Sequence, residues 1–109
     1  MRVDRIERGK CAVEGGVTTA NARVARIETE AALADMLGES DDLRVDLSRV
    51  TSSNSVMLSL MLSWLRQARV AGRRLVFERV PPDLDDLIRF TGLDSVLPTE
   101  AASAQARAP

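Results

Sequence analysis

Hydrophobic and polar positions divide the chain into alternating strand-like and helix-like segments. Residues 2–6 and 10–13 are short segments flanked by turn residues, which predicts two edge strands joined through Arg8-Gly9. Residues 43–47 alternate imperfectly between apolar and polar side chains, and residues 75–77 form a short apolar run. We therefore predict a central strand at the first of these segments and another strand at the second.

A first long helix is predicted after the glycine pair at positions 15 and 16. Thr18 or Thr19 provides a hydroxyl that can cap the helix, and Gly38 is expected to end it after about Leu37. Apolar residues recur with a spacing of three to four, which indicates one buried face. The positions expected on that face are Val24, Ile27, Ala31, Leu33 or Ala34, and Leu37.

Two further helices follow the central strand. One begins at Asn54 or Ser55 and continues to Ala71, where Gly72 provides a C-terminal stop. The other spans about residues 83–90 after a proline pair, and residues 93–97 are expected to add one more helical turn. Because strands alternate with helices, the pattern predicts an α/β layer with a mixed sheet and crossover helices.

The chain is expected to fold as one domain followed by a tail. Its 109 residues suffice for a single modest core. From residue 98 onward the sequence is rich in Ala, Ser and Pro and has no apolar periodicity. We therefore predict a domain over residues 1–98 and a disordered tail over residues 99–109.

Composition and charge indicate a soluble protein. The net charge of −1 gives no general attraction to nucleic acid or to an anionic membrane. The most apolar run, residues 56–65, is too short to span a bilayer, and no apolar segment follows Met1. We therefore expect a cytoplasmic protein that neither inserts into the membrane nor binds nucleic acid.

A short basic cluster interrupts this acidic background. Solvated side chains are its simplest interpretation, and an acidic partner surface or lipid headgroups are the alternatives. The cluster comprises Arg66, Arg69, Arg73 and Arg74.

The residue types present in the chain give little indication of catalysis. The chain has no histidine, and Cys11 is the only cysteine, which excludes an internal disulfide and the usual zinc ligands. It also lacks a glycine-rich phosphate loop and a nucleophile elbow. We therefore expect no enzyme activity, no cofactor and no metal site.

The helix that begins near Ser55 is unusually apolar. On a helical wheel its apolar residues cover roughly 200°, about twice what one core-facing stripe needs. Either the helix is buried between the sheet and another helix, or one apolar edge meets a partner. The candidate edges are Met57-Leu60-Trp64 and Leu58-Leu62.

Small polar side chains occupy the opposite side of this helix. Ser55, Ser59 and Ser63 follow one another at intervals of four residues, with Arg66 nearby. Such a stripe either lets another surface come close or carries ordinary solvated serines. Ser55 also lies where free backbone N–H groups and the helix dipole favour an anion, so it could carry or meet a phosphate. Its simpler role is as an ordinary cap, and Asn54 could equally fill that role.

The segment from Val45 to Leu58 resembles the signature of the STAS domain family. It contains a strand, Asp46-Leu47-Ser48, Val50-Thr51, a polar pair before the helix, and then a Leu-rich helix. Residues 71–77, Pro81 and residues 90–97 also fit, so the resemblance covers roughly residues 3–98. It implies a STAS-like mixed β-sheet with helices packed mainly on one face.

Within that family, the chain is most similar to the STAS subunit of the Mla phospholipid-transport ABC system of Gram-negative bacteria. This resemblance implies a non-enzymatic subunit that binds the cytoplasmic ATPase at the inner face of the inner membrane and supports lipid asymmetry of the outer membrane. The hydroxyl residue at or near the ATPase contact corresponds to Ser55. The partner-binding residues expected there are Asn54, Ser55, Val56, Met57, Ser59 and Ser63.

The alternative within the family is an anti-sigma factor antagonist. In that case a kinase that is also the anti-sigma factor would phosphorylate Ser55 and so release its partner. Two departures from the family pattern argue against such a switch. Asn54 replaces the usual Asp and cannot act as a base, and Met57 replaces a small Gly, so its bulk is expected to change the exposed surface.

Overall fold

A computed structural model describes residues 1–100 of the chain. Four strands and three α-helices occur in the order predicted from the sequence, followed by a short 3₁₀ turn at Leu93–Ser95. The strands are β1 (Arg2–Glu7), β2 (Lys10–Gly15), β3 (Asp42–Val50) and β4 (Arg74–Glu78), and the helices are α1 (Ala22–Met36), α2 (Ser55–Val70) and α3 (Pro82–Phe90).

The strands form one mixed sheet in the order β1-β2-β3-β4. β1 pairs antiparallel with β2 through a hairpin, and Gly9 in that hairpin has a φ of 72°. β2–β3 and β3–β4 are parallel pairs, which require crossover connections and here have α1 and α2 between them. The mixed α/β sheet and the central position of β3 are confirmed. The prediction that residues 10–13 form an edge strand is wrong, because β2 lies between β1 and β3.

Helix α1 differs from its prediction in its start and in part of its buried face. It begins at Ala22, because the Asn21 side chain accepts a hydrogen bond from the Thr18 amide and closes a turn ahead of the helix. Val24 and Ile27 are exposed by 58% and 60% of their surface, so their predicted burial is wrong. The residues of α1 that do face the core are Ala25, Thr29, Leu33 and Met36.

Helix α2 is buried on two flanks, which explains its broad apolar arc. It packs against the sheet and against α1, and Trp64 is fully inside this contact with 2% of its surface exposed. The Trp64 indole Nε1 donates to Thr29 Oγ1 at 2.8 Å, and Thr29 in turn donates to the Ala25 carbonyl at 2.7 Å. A buried indole N–H needs a partner, so a polar threonine lies on the core face of α1.

The sheet face away from α1 and α2 carries charged side chains. Asp46 is buried there and accepts hydrogen bonds from the Ser48 amide and the Arg79 guanidinium. Burial raises the pKa of Asp46, but the hydrogen bonds from Ser48 and Arg79 outweigh that effect and hold it below its ordinary value. Cys11 lies in the core, and burial raises the pKa of its thiol to about 11, so it stays protonated at neutral pH.

The packed region extends slightly beyond the predicted domain boundary. Thr99 is buried and pairs with Phe77, while the Phe77 amide donates to the Pro98 carbonyl at 2.9 Å. The backbone of Thr99, the first residue of the predicted tail, completes the outer edge of β4. Residues 101–109 of the predicted tail lie outside the described residues. No helix within residues 1–100 is long and apolar enough to cross a membrane.

Thr29→Val tests the bond between the two helices. The change preserves shape but leaves the buried Trp64 N–H without an acceptor, so the free energy of unfolding should fall by about 1–3 kcal/mol. Urea denaturation measures the loss. Thr91→Val is the matched control, since Thr91 is exposed and its replacement should cost less than about 0.5 kcal/mol. Equal losses for the two variants would contradict this role of Thr29.

Candidate functional site

The turn between β3 and α2 is bound to the β2–α1 loop through one residue, Val17. The Ser52 hydroxyl accepts from the Val17 amide at 2.6 Å and donates to the Val17 carbonyl at 3.1 Å. The Asn54 side-chain amide donates to the same carbonyl at 2.9 Å. The Val17 side chain is completely buried, so both loops are held against the core at this point. We call these three residues the Val17 latch.

Asn54 is the cap of α2. Its side-chain oxygen accepts from the Met57 amide at 2.9 Å, and its backbone is extended, as an N-cap requires. The structure thus decides between the two predicted caps and leaves Ser55 as the first helical residue. An amide suits this position because it accepts from the helix and donates to Val17 at the same time, which an ionised carboxylate cannot do.

Close backbone contact accompanies the latch. A Cβ atom added at Gly16 would lie 2.9 Å from Ser52 Oγ and 3.0 Å from Thr51 Oγ1. Only glycine allows the β2–α1 loop to pass this near to the turn. The glycine pair predicted to end the second strand therefore also brings the two loops together.

The serines of α2 differ in their surroundings. Ser55 and Ser59 are exposed, and the Ser59 hydroxyl donates to the Ser55 carbonyl at 3.1 Å. Ser63 is half-buried and donates to the Glu30 carboxylate of α1. That bond, followed by the one from Arg26, holds the pKa of Glu30 below its usual range. Ser63 thus has a structural partner, whereas the Ser55 side chain makes no hydrogen bond within residues 1–100.

Met57 does not contribute to the surface. Its side chain is fully buried in the core, so the expectation that its bulk alters the exposed surface is wrong. The helical wheel accounts for this, because Met57 lies near the middle of the apolar arc. The edge Met57-Leu60-Trp64 is likewise buried, and only Val56 and Leu62 remain half-exposed among the apolar residues of the first two turns.

A surface groove runs between α1 and α2. Its first lobe, of about 370 Å³, lies at the start of both helices, and a second lobe of similar volume lies farther along them. The first lobe is lined by Ala22, Arg23, Arg26, Ser55, Val56, Ser59 and Leu60. The second is lined by Arg26, Glu30, Leu37, Ser63, Arg66, Gln67, Val70 and Ala71.

The basic cluster predicted from the sequence is divided by the fold. Arg73 donates to the Leu37 carbonyl at 2.7 Å and also pairs with an aspartate, and Arg74 pairs with Asp42 at 2.6 Å. Arg66 lines the groove, whereas Arg69 lies near the outer edge of β4. Only Arg66 of the four is therefore placed beside the candidate site.

Comparison with known families identifies the fold. The family model described as "Mlab, STAS domain" matches residues 6–98, which is most of the chain. The chain belongs to the STAS domain family. A search of curated proteins gives no match.

Solved structures similar to this chain include an Mla complex and anti-sigma factor antagonists. The chain is similar to one in the Acinetobacter MlaFEDB complex in its ATP-bound conformation, at 26% identity and a TM-score of 0.69, covering 81% of this chain and 90% of that one. It is similar to an anti-sigma factor antagonist from Mycobacterium paratuberculosis at 23% identity and a TM-score of 0.68, covering 90% and 81%. It also matches the anti-sigma factor antagonist SpoIIAA in its unphosphorylated form at 16% identity and a TM-score of 0.65, covering 97% and 95%.

Sequence reasoning located the start of α2 but missed the residues that surround it. Ser52 and Val17 are far apart in the sequence, and neither has a local pattern that predicts their contact. Arg23 and Arg26 were also missed. Their spacing of three places them on one side of α1, but only the parallel arrangement of α1 and α2 brings that side next to Ser55.

Asn54→Asp tests the latch. The variant keeps an oxygen that caps α2 but loses the donor to Val17 and places a negative charge against its carbonyl. We expect the free energy of unfolding to fall by about 1–2 kcal/mol in chemical denaturation. Asn21→Asp is the matched control, because Asn21 is exposed and water can replace its bond to the Gly16 carbonyl. If both variants were equally stable, the latch would not hold the turn.

Proposed function

We propose that this protein is a non-enzymatic STAS subunit that binds and supports the ATPase of an intermembrane phospholipid-transport ABC complex. The observation that carries the proposal is the combined likeness to the Mlab family model and to a chain of the MlaFEDB complex. In this role the protein lies at the inner face of the inner membrane through its partner.

The proposed docking surface is the exposed start of α2. It comprises Ser55, Val56 and Ser59, with Asn54 and Ser63 at its margins. Met57 supports this surface from the core and does not contact the partner. Small exposed side chains let another backbone come close, and the half-exposed Val56 adds apolar area beside them. The Val17 latch holds the surface in place before binding, which lowers the entropic cost of association.

Ser55→Glu tests the docking surface without threatening the fold. A carboxylate in the first turn of a helix is favourable, so α2 should remain intact. At a close interface the longer, charged side chain clashes with the docked surface and should weaken binding by at least about tenfold. The measurement is the affinity for the ATPase subunit of the phospholipid transporter from the same cells, alongside thermal unfolding of the variant.

Ser95→Glu is the matched control for Ser55→Glu. Ser95 is also exposed, but it lies in the 3₁₀ turn after α3 rather than on α2. The control should bind the ATPase with wild-type affinity. Equal affinities for wild type, Ser55→Glu and Ser95→Glu would show that the start of α2 is not the interface.

An anti-sigma factor antagonist is the second candidate, and the exposure of Ser55 favours it. The hydroxyl is accessible to a kinase, and a phosphate there would share the groove with Arg23 and Arg26. Against this candidate, Asn54 is engaged with Val17 and α2 and cannot act as a base toward Ser55. Intact-mass measurement on protein from its native cells separates the two functions, since only the antagonist requires a pool phosphorylated at Ser55.

A further inference from the structure

The groove between α1 and α2 has a charge opposite to that of the whole protein. Three arginines line its two lobes, with Glu30 as the one acidic residue among the lining side chains. The chain as a whole carries a net charge of −1. The groove is therefore a local basic surface on an acidic protein.

The three arginines differ in whether they already form an ion pair. Arg26 lines both lobes, and its Nε donates to Glu30 Oε1 at 2.9 Å. Glu30 in turn accepts from Ser63, so this carboxylate is fixed across the middle of the groove. Arg23 and Arg66 are exposed and form no ion pair within residues 1–100. One unpaired guanidinium is thus available in each lobe.

Helix orientation adds to the positive potential of the first lobe. Residues 22–26 of α1 lie beside residues 55–60 of α2, so the two helices begin at the same end of the groove. The positive ends of two helix dipoles are therefore adjacent, next to Arg23. An acidic group that enters this lobe is attracted by the positive ends of both helix dipoles and by the Arg23 guanidinium.

The groove between the arginines is lined by apolar side chains together with the polar residues Ser55, Ser59, Ser63 and Gln67. Ala22, Val56 and Leu60 line the first lobe, and Leu37, Val70 and Ala71 line the second. The distance along α2 from Ser55 to Arg66 is about 16 Å, or three helical turns. A flat bilayer surface cannot enter such a concave groove, whereas an amphipathic helix can place apolar side chains on its floor and carboxylates at the arginines.

We infer that the α1–α2 groove binds an acidic amphipathic helix of the partner protein, with Arg23 and Arg66 as its specificity-determining residues. This inference rests on the proposed function, because the groove includes Ser55 and Ser59 and thus extends the docking surface across to α1. Charge complementarity of this kind selects the partner and accelerates association, and reversing one charge places like charges together and weakens binding.

The test uses Arg23→Glu and Arg66→Glu in the full-length protein. Binding to the ATPase subunit is measured at low and at high salt, and each reversal should weaken the low-salt affinity by at least about tenfold while reducing its salt dependence. Arg69→Glu is the matched control, since Arg69 is an exposed residue of the same helix outside the groove. It should change the affinity by less than about twofold.

The outcomes separate this inference from the proposed function. Loss of binding in Ser55→Glu together with wild-type binding in both groove variants would overturn the groove inference alone. Absence of binding by the wild type would overturn both proposals. Vesicles of phosphatidylethanolamine and phosphatidylglycerol provide a second probe. Wild-type binding to them that is lost in the groove variants would assign the arginines to lipid headgroups and overturn the acidic-helix inference.

Discussion

The structure depends on the hydrogen bonds that Ser52 and Asn54 make with the buried peptide of Val17. A backbone amide and carbonyl removed from water must find partners, and here the partners come from a turn about 35 residues farther along the chain. Because these bonds join the loop before α1 to the turn before α2, they hold the starts of the two helices together. Gly16 allows the close contact that this arrangement requires.

At the start of α2, Asn54 and Met57 make structural contacts that the Ser55 side chain does not make. Asn54 uses both ends of its side-chain amide within the protein, and Met57 fills the core below. Ser55, which lies between them, has an exposed side chain without a hydrogen bond in the described residues. A rigid backbone thus presents a small, accessible side chain, as a preorganised docking surface needs. The hydrogen bond from Trp64 to Thr29 holds α1 and α2 together farther along their length, so the two helices that line the groove are fixed relative to each other.

The sequence predicted the elements of this fold better than it predicted their faces. Strong periodicity and clear stop signals placed α2 and α3 within one or two residues. The predicted face of α1 was wrong at Val24 and Ile27, which are exposed, whereas Leu33 is buried as predicted. Thr29 faces the core to serve Trp64, while Val24 and Ile27 point to solvent. A rule that counts apolar residues cannot anticipate such a case.

The sequence predicts only those parts of the candidate site that depend on interactions between residues close together in the chain. The preference of a helix N-terminus for capping side chains and anions indicates Ser55 and limits the cap to two residues. It does not predict Val17 or Ser52, because their contacts depend on how β2 and β3 pair. It does not predict Arg23 either, which reaches the site only because α1 lies parallel to α2. The proposed class of partner comes from the family resemblance, because no pattern of charge or hydrophobicity indicates it.

The central claim is that the start of α2 and the adjoining groove are covered by the transporter ATPase. Hydroxyl-radical footprinting of the unmodified protein, with and without the ATPase subunit, tests it most directly. Oxidation of Val56 and Val70, which line the groove, should fall on complex formation. Oxidation of Ile6, an exposed residue of β1, should stay unchanged. Protection of Ile6 with no protection of Val56 would contradict the account.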